Sequence, residues 1–397
     1  MEFLNKYLRN HKTILFLFFI AIINLVLFGY LFGFHANNDT ESFIWTIERF
    51  RGIDSPFHPN RYLNPLYPLV GATMLRFVSP AYVLIVLNII FYFGIIFLTY
   101  GLMRRVFKNE FIGAVSALFI LPSYAFIRYA LTQVQDMGGY FWFVLTLYSG
   151  WRWQEDKKNG WLYVGGMAVS LGMLTKESGA MGALFVGVLL LCAQMSWREK
   201  IINFIKFSCL PFITLLLNQY RGKYIGYNSG AWFIDNWKIY APDNYNFIKL
   251  FGVNLTTYNV LWPLVLFGLY FLYIKRREIS PEIKKYFVAV LLPSLSYFAW
   301  PIFISRTVFI SAWLFIPIAS YAVYTIYLKS KALKYAAIVC VVICVVTPYA
   351  LQGVLRYANL FKILDVCQYR PACSWSYFWQ YRSNFSVTGD KNYFNYK

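Results

Sequence analysis

Two acids, Asp39 and Glu41, stand in the stretch "GFHANNDTESF", directly after a long apolar run. A carboxylate at such a membrane exit can act as a general base. It can equally cap a helix, because "DTES" places Asp39 just before an amphipathic segment. Glu41 has three readings: a second acid, a metal ligand, or a first-turn acid favoured by the helix dipole. His35 is either a ligand or a polar anchor.

Other polar residues interrupt apolar surroundings further on. Arg61, in "NRYLNPLYPLVGA", suits a phosphate or a lipid headgroup. The segment "FIRYALTQVQDMGGYF" gathers Arg128, Gln133, Gln135 and Asp136 into a short connection, and Asp136 is also placed to cap the next helix. In "GMLTKESGA", Lys176 and Glu177 sit between two apolar runs with no room for a proper loop. Charges at membrane depth cost roughly 2.5–3.5 kcal/mol at the centre, so they need partners or a function. Neighbouring helical residues do not face each other, so Lys176 and Glu177 require separate partners. Arg306, in "FISRTVFISAW", either snorkels to headgroups or holds an anion inside a cavity.

The elements that position these residues follow from composition. Of 397 residues, 59% are hydrophobic and 14% charged. Soluble domains carry about 25% charged residues, so this is a membrane composition. The period-two pattern of an outer-membrane barrel is missing. The chain therefore reads as an all-α polytopic membrane protein. About eleven spans are expected, near 13–33, 80–102, 111–129, 137–153, 160–175, 179–196, 202–219, 257–274, 286–304, 307–328 and 335–354. The net charge of +20 is scattered between spans and forms no basic arm, which excludes a nucleic-acid partner and leaves membrane lipids.

Short basic connections ("RRVFK", "RWQEDKK", "SWREK", "KRREISPEIKK", "KSKALK") alternate with longer, less basic ones. The positive-inside rule puts the N-terminus and these connections in the cytoplasm. The first helix reads as retained and not as a cleaved signal. Residues 1–355 then form a transmembrane module, with outer loops at 34–79 and 220–256. Residues 356–397 form an extracytoplasmic tail. All the residues singled out fall on the outer side of a cytoplasmic, multi-pass membrane protein.

In the first outer loop, "ESFIWTIERFR" places Phe43, Ile47 and Phe50 on one face of an amphipathic helix suited to a membrane surface. "PLYPLVGATMLRFV" reads as a second such helix, with Pro65 near its first turn. Cys192, Cys209, Cys340 and Cys344 lie in apolar runs and read as inert. Cys367 and Cys373 can form a disulfide if the tail faces an oxidising compartment. No internal repeat stands out, which disfavours a secondary transporter.

The order of these features resembles the GT-C glycosyltransferases, in particular the protein O-mannosyltransferase and aminoarabinose transferase branch. It rests on an acid soon after the first span, the "R…PLYP" element with Arg61 and Tyr67, Arg128 and Asp136 in an R-x7-D segment, "LTKES", and Arg306 eleven residues before Pro317. The resemblance covers most of residues 10–330 and implies a GT-C bundle with two juxtamembrane helices. It implies Asp39 as base and Arg61, Lys176, Arg306 and Arg128 as cations at the phosphate of a polyprenyl-phosphate-linked sugar donor. Glu41, Asp136, Gln133, Tyr67 and Glu177 would shape the sugar or acceptor site, the acceptor being a lipid, a glycan or a protein. The protein mannosyltransferases carry adjacent acids, whereas here Thr40 separates Asp39 from Glu41.

The expected reaction is an inverting glycosyl transfer that requires no cofactor. A divalent metal at Asp39 and Glu41 is the lesser alternative. The rival functions are a polysaccharide polymerase or ligase using a pyrophosphate-linked donor, and a lipid or polysaccharide transporter.

Overall fold

The computed structural model describes residues 11–32, 39–56, 58–226, 234–235, 237–238, 252–254, 257–299 and 305–358. His35, Cys367, Cys373 and most of the loop 220–256 lie outside the described residues, as does nearly all of the tail 356–397. Among the described residues the chain is helical and contains no strand.

Among the described residues, seventeen α-helices follow in order. They are α1 (Lys12–Phe32), α2 (Thr40–Phe50), α3 (Pro59–Leu63), α4 (Leu66–Thr73), α5 (Pro80–Val106), α6 (Glu110–Ile120), α7 (Tyr124–Leu131), α8 (Asp136–Asp156), α9 (Asn159–Met173), α10 (Glu177–Ala180), α11 (Gly182–Leu191), α12 (Trp197–Tyr224), α13 (Trp262–Ile274), α14 (Pro281–Leu295), α15 (Ser305–Val308), α16 (Ala312–Tyr327) and α17 (Lys331–Ala358). Among the described residues, three helical stretches are long and apolar enough to cross a membrane: α5, α12, and α16 together with the 3-10 turn Phe309–Ser311 before it. Shorter apolar stretches are Lys12–Leu27, Glu110–Ile120, Glu177–Leu191 and Trp262–Ile274.

The expected span 111–129 is broken into α6 and α7 around Pro122. Proline lacks the N–H that would continue the helix, and Ser123 after it is extended (φ −60°, ψ 126°), so the apolar run does not continue as one helix. The span expected at 179–196 is likewise split at Met181, and its helix ends at Leu191.

Burial separates the core of the bundle from its periphery. The stretch 309–327 is mostly enclosed, with Phe309, Trp313 and Ala319 almost fully buried. Its buried polar groups are satisfied between helices, as an apolar environment requires. Trp313 Nε1 donates to Thr99 Oγ1 at 3.1 Å, Ser116 Oγ to Ser320 Oγ at 3.0 Å, and the Tyr286 hydroxyl to the Trp313 carbonyl at 2.6 Å. In contrast, α12 leaves Ile201, Phe204, Ile205, Phe212 and Leu217 exposed. That pattern suits a helix whose outward surface faces lipid.

The two ends of the bundle differ in character. At one end Arg105 pairs with Glu155 at 3.0 Å, and Arg152 with Asp156 at 3.0 Å. Ring contacts Phe107–Phe287 and Phe111–Tyr327 bring the α5–α6 turn against α14 and α16 there. This end gathers the short basic connections. Asp39, Glu41, Arg61, Asp136, Lys176 and Glu177 lie at the other.

At that second end, α2 turns Phe43 and Ile47 inward, both essentially unexposed, and packs on α4. The apolar face of α2 is thus covered by protein, where sequence periodicity alone suggests a membrane surface. The second expected helix is α4, with Pro65 at its N-cap. Between them lies a helix that periodicity does not signal. This is α3, a single turn that Pro59 starts with its fixed φ, and it carries Arg61.

Candidate active site

Asp39 precedes α2 with φ −83° and ψ −22°, and its side chain makes no capping hydrogen bond. The capping expectation is therefore corrected. Its Oδ1 instead accepts from Arg61 Nη2 at 3.0 Å. The Asp39 backbone is helical where a capping residue is normally extended, so the carboxylate turns to the guanidinium and not to the first N–H groups of α2.

The Arg61 side chain is fixed on three sides. Its Nε donates to Ser42 Oγ at 2.8 Å, and Ser42 Oγ donates to the Asp39 carbonyl at 2.7 Å. The guanidinium lies 4.0 Å over the Phe43 ring. The Arg61 side chain is 9% exposed, whereas that of Asp39 keeps 36%. A buried cation thus orients a carboxylate that remains open to solvent or ligand. Next to them, burial and then the Arg61 charge push the His58 imidazole below its ordinary pKa, against the opposing pull of Asp39.

A second pair joins Lys176 to Asp136, with Nζ to Oδ1 at 3.1 Å. The Asp136 side chain is 2% exposed and that of Lys176 20%. Asp136 is the first residue of α8 and Gln135 holds the N-cap position, so Asp136 serves an ion pair and not a cap. Glu177 turns elsewhere and accepts from Asn64 Nδ2 at 3.3 Å. The adjacent charges do have separate partners, but Lys176 is extended (φ −159°, ψ 141°) and only Glu177 is helical, so an extended turn and not a helix parts them.

The two pairs are tied into one assembly. Asn64 follows Arg61 by one helical turn, and Glu177 follows Lys176 directly. The Leu66 N–H donates to the Leu174 carbonyl at 2.9 Å. Arg221, near the end of α12, also donates to the Tyr62 carbonyl. Segments far apart in sequence therefore hold the first loop against the "LTKES" turn.

Asn88 supports the connection before α8. Its Nδ2 reaches the carbonyls of Thr132 and Val134, each at 2.8 Å, and of Tyr129 at 3.2 Å. Gln133 is buried in that connection, 2% exposed. Tyr67 is 1% exposed and donates to Asn88 Oδ1 at 3.1 Å. Its ring stacks on Phe91. Burial, with the Asp136 charge adding, holds the Tyr67 hydroxyl well above the ordinary phenol range, so it stays protonated.

Glu41 lies in the first turn of α2, and partial burial raises its carboxyl above the usual range. Arg128 falls on α7 and Arg306 on α15, but their side chains lie outside the described residues. Among the described residues, no three His, Cys, Asp or Glu side chains come together as metal ligands.

The diglycine Gly138–Gly139 is a feature that residue types alone did not flag. A Cβ on Gly138 would collide with the Tyr67 ring and come 2.8 Å from Thr175 Cγ2. One on Gly139 would meet Ser178 Oγ and lie 3.2 Å from Lys176 Cβ. The glycines let the 175–178 turn lie directly on the start of α8, beside Asp136. Gly138→Ala is expected to displace Tyr67 and destabilise the protein by about 1–3 kcal/mol, the usual range for overpacking. Thermal unfolding of the purified variant measures this, and unchanged stability would refute the tight contact.

These features define a class: an all-α bundle with apolar, membrane-length helices and an acid–cation assembly at one end. Over residues 65–217 the chain is similar to a protein family described as dolichyl-phosphate-mannose-protein mannosyltransferase. The matched region runs from Pro65 into α12 and includes Tyr67, Arg128, Gln133, Asp136, Lys176 and Glu177. Asp39, Glu41, Arg61 and Arg306 lie outside it. No curated protein matches the chain.

Proposed function

We propose that this protein is an integral-membrane, inverting glycosyltransferase that moves a sugar from a polyprenyl monophosphate to an acceptor on the extracytoplasmic face. The observation that carries this reading is the half-open Asp39 carboxylate held by buried Arg61, at the end of the bundle that also holds Asp136 and Lys176. The similarity over residues 65–217 adds support, because that family's description names a polyprenyl-phosphate sugar as donor.

In the proposed reaction Asp39 removes a proton from an acceptor hydroxyl or amine. The acceptor atom bonds to the anomeric carbon as the bond from that carbon to the phosphate oxygen breaks. The polyprenyl phosphate leaves with the electron pair. Fixed cations favour that developing charge. Arg61 has Nε and Nη2 engaged by Ser42 and Asp39, so its first role is to orient the base. Lys176, Arg128 and Arg306 are the cations assigned to the donor phosphate, Lys176 by exchanging Asp136 for it in part. Glu41, Asp136, Gln133 and Glu177 border the sugar or acceptor. Tyr67 acts from beneath, through Asn88 and the α8 connection.

Incubation of the purified protein with monophosphate-linked and pyrophosphate-linked polyprenyl sugars tests the reading. Transfer is expected from the monophosphate donor and is expected to persist in EDTA. Transfer from the pyrophosphate donor alone would establish the polymerase or ligase alternative. Loss in EDTA with recovery on adding a divalent ion would place a metal at the acids.

A further inference from the structure

Two of the cations assigned to the donor phosphate stand on short helices. Arg306 belongs to α15, a single turn of 4 residues, and Arg128 to α7, 8 residues long. Helices this short are not stable by themselves, so tertiary contacts must fix them. The two pack against each other. Phe126 of α7 stacks on Phe309, the residue directly after α15, with ring centroids 5.8 Å apart.

A dipeptide from a third segment ties both in place. Thr257 and Tyr258 lie between the outer loop 220–256 and α13, and both are buried. Ser123 holds the N-cap position of α7, where a serine side chain usually caps. Here it makes no cap, and its Oγ donates to the Thr257 carbonyl at 3.2 Å. One residue on, the Tyr258 hydroxyl donates to the carbonyl of Val308, the last residue of α15, at 3.1 Å. The same hydroxyl lies 2.5 Å from Ser311 Oγ. Val308 follows Arg306 by two positions. The dipeptide is itself braced, because Thr257 Oγ1 donates to the Val253 carbonyl at 2.7 Å and Trp262 Nε1 to the Asn254 carbonyl at 3.2 Å.

Packing alone does not call for the Tyr258 hydroxyl. The ring meets Trp262 at 5.8 Å and Phe315 at 5.4 Å, contacts that a phenylalanine would keep. The Val308 carbonyl already accepts from Ser311 Oγ at 2.6 Å, so it needs no second donor. Burying a hydroxyl costs free energy that its hydrogen bonds must offset. What the hydroxyl adds is a tie from the Thr257–Tyr258 segment to the backbone of the turn that carries Arg306.

We propose that Tyr258 is a positioning residue for the donor phosphate: its hydroxyl fixes the α15 backbone, and through it Arg306, against the segment that also holds α7. This role presupposes the transfer proposed above, in which Arg306 holds the phosphate. Tyr258 acts at one remove, since its hydroxyl is spent on Val308 and Ser311.

The test uses the full-length protein in detergent. It reads binding of a polyprenyl monophosphate without sugar, KM and kcat for the monophosphate-linked donor, and thermal unfolding. Tyr258→Phe is expected to weaken polyprenyl phosphate binding roughly 5–10-fold, about the worth of one hydrogen bond. KM should rise by as much while kcat stays within about threefold. Arg306→Gln should weaken binding roughly 10-fold or more, as for a lost bond to a charged group. In Y258F/R306Q the tyrosine change should add little to the arginine change, because both act at one point. Ser311→Ala keeps the ring and removes one of the two ties, so a smaller loss in the same direction is expected; it replaces Y258F in the cycle if that variant unfolds. The control is Tyr286→Phe, which removes another buried hydroxyl from a backbone carbonyl. It should lower the unfolding midpoint and leave binding unchanged. Unchanged binding in Y258F, full additivity with R306Q, or equal loss in Y286F would overturn the role and leave the transfer reading intact. Unchanged binding in R306Q would remove Arg306 from the phosphate site, and the role of Tyr258 with it.

Discussion

Asp39→Asn is expected to reduce sugar transfer by about 10²–10⁴-fold, the range for losing a positioned general base. Asparagine is nearly isosteric and its carbonyl can still accept from Arg61, so the α2–α3 contact should survive. What disappears is the capacity to take a proton. Donor binding should stay within a few-fold of the wild type, because the phosphate cations assigned to Lys176, Arg128 and Arg306 are untouched. Single-turnover assays with saturating donor separate the two effects. Near-normal turnover would remove Asp39 from the mechanism. Neutralising Asp39 also leaves the buried Arg61 charge without its partner, so unfolding must be measured alongside. A variant that is folded, binds donor and does not turn over isolates the chemistry. Ser42→Ala provides a graded comparison: it removes the hydroxyl that accepts from Arg61 Nε, loosens the guanidinium, and should lower turnover less than D39N does.

Apolar runs, helix-period patterns and proline positions made most of the helices legible in the sequence, because those signals are local. They also suggested α2 and α4, and the expectation of separate partners for Lys176 and Glu177 held, although Lys176 is extended and not helical. The identity of the partners was not legible. Asp39 meets Arg61 across 22 positions and Asp136 meets Lys176 across 40, and no local pattern encodes such pairings. The capping expectation failed for the same reason. "DTES" is a sound local signal for a cap, but the Asp39 backbone does not take the extended capping geometry, and a buried guanidinium held by Ser42 and Phe43 meets its carboxylate. The α3 turn escaped notice because one helical turn shows no periodicity. The diglycine after Asp136 was visible as residues, but its purpose depends on Tyr67 and the 175–178 turn, which only the tertiary contacts supply.

Those contacts lead to the second large effect. Lys176→Gln removes the partner of a carboxylate that is almost completely buried. Breaking such a pair costs several kcal/mol, and about 3 kcal/mol is expected here, the low end, because Lys176 keeps a fifth of its side chain exposed. Activity should fall as well, but that loss alone does not distinguish lost packing from a lost phosphate cation. The double variant D136N/K176Q does. With both charges gone and two amides able to hydrogen-bond, most of the lost stability should return, since replacing both partners avoids the cost of an orphaned charge. If Lys176 binds the donor phosphate, D136N/K176Q will unfold close to the wild-type temperature and still turn over poorly, with its defect chiefly in donor affinity. Recovery of stability and turnover together would make the pair a strut between α8 and the "LTKES" turn and would transfer the phosphate to Arg128 and Arg306. Failure to regain stability would show that the attraction between Lys176 and Asp136 exceeds what two neutral amides can replace, a result expected only if the site is drier than the 20% exposure of Lys176 implies.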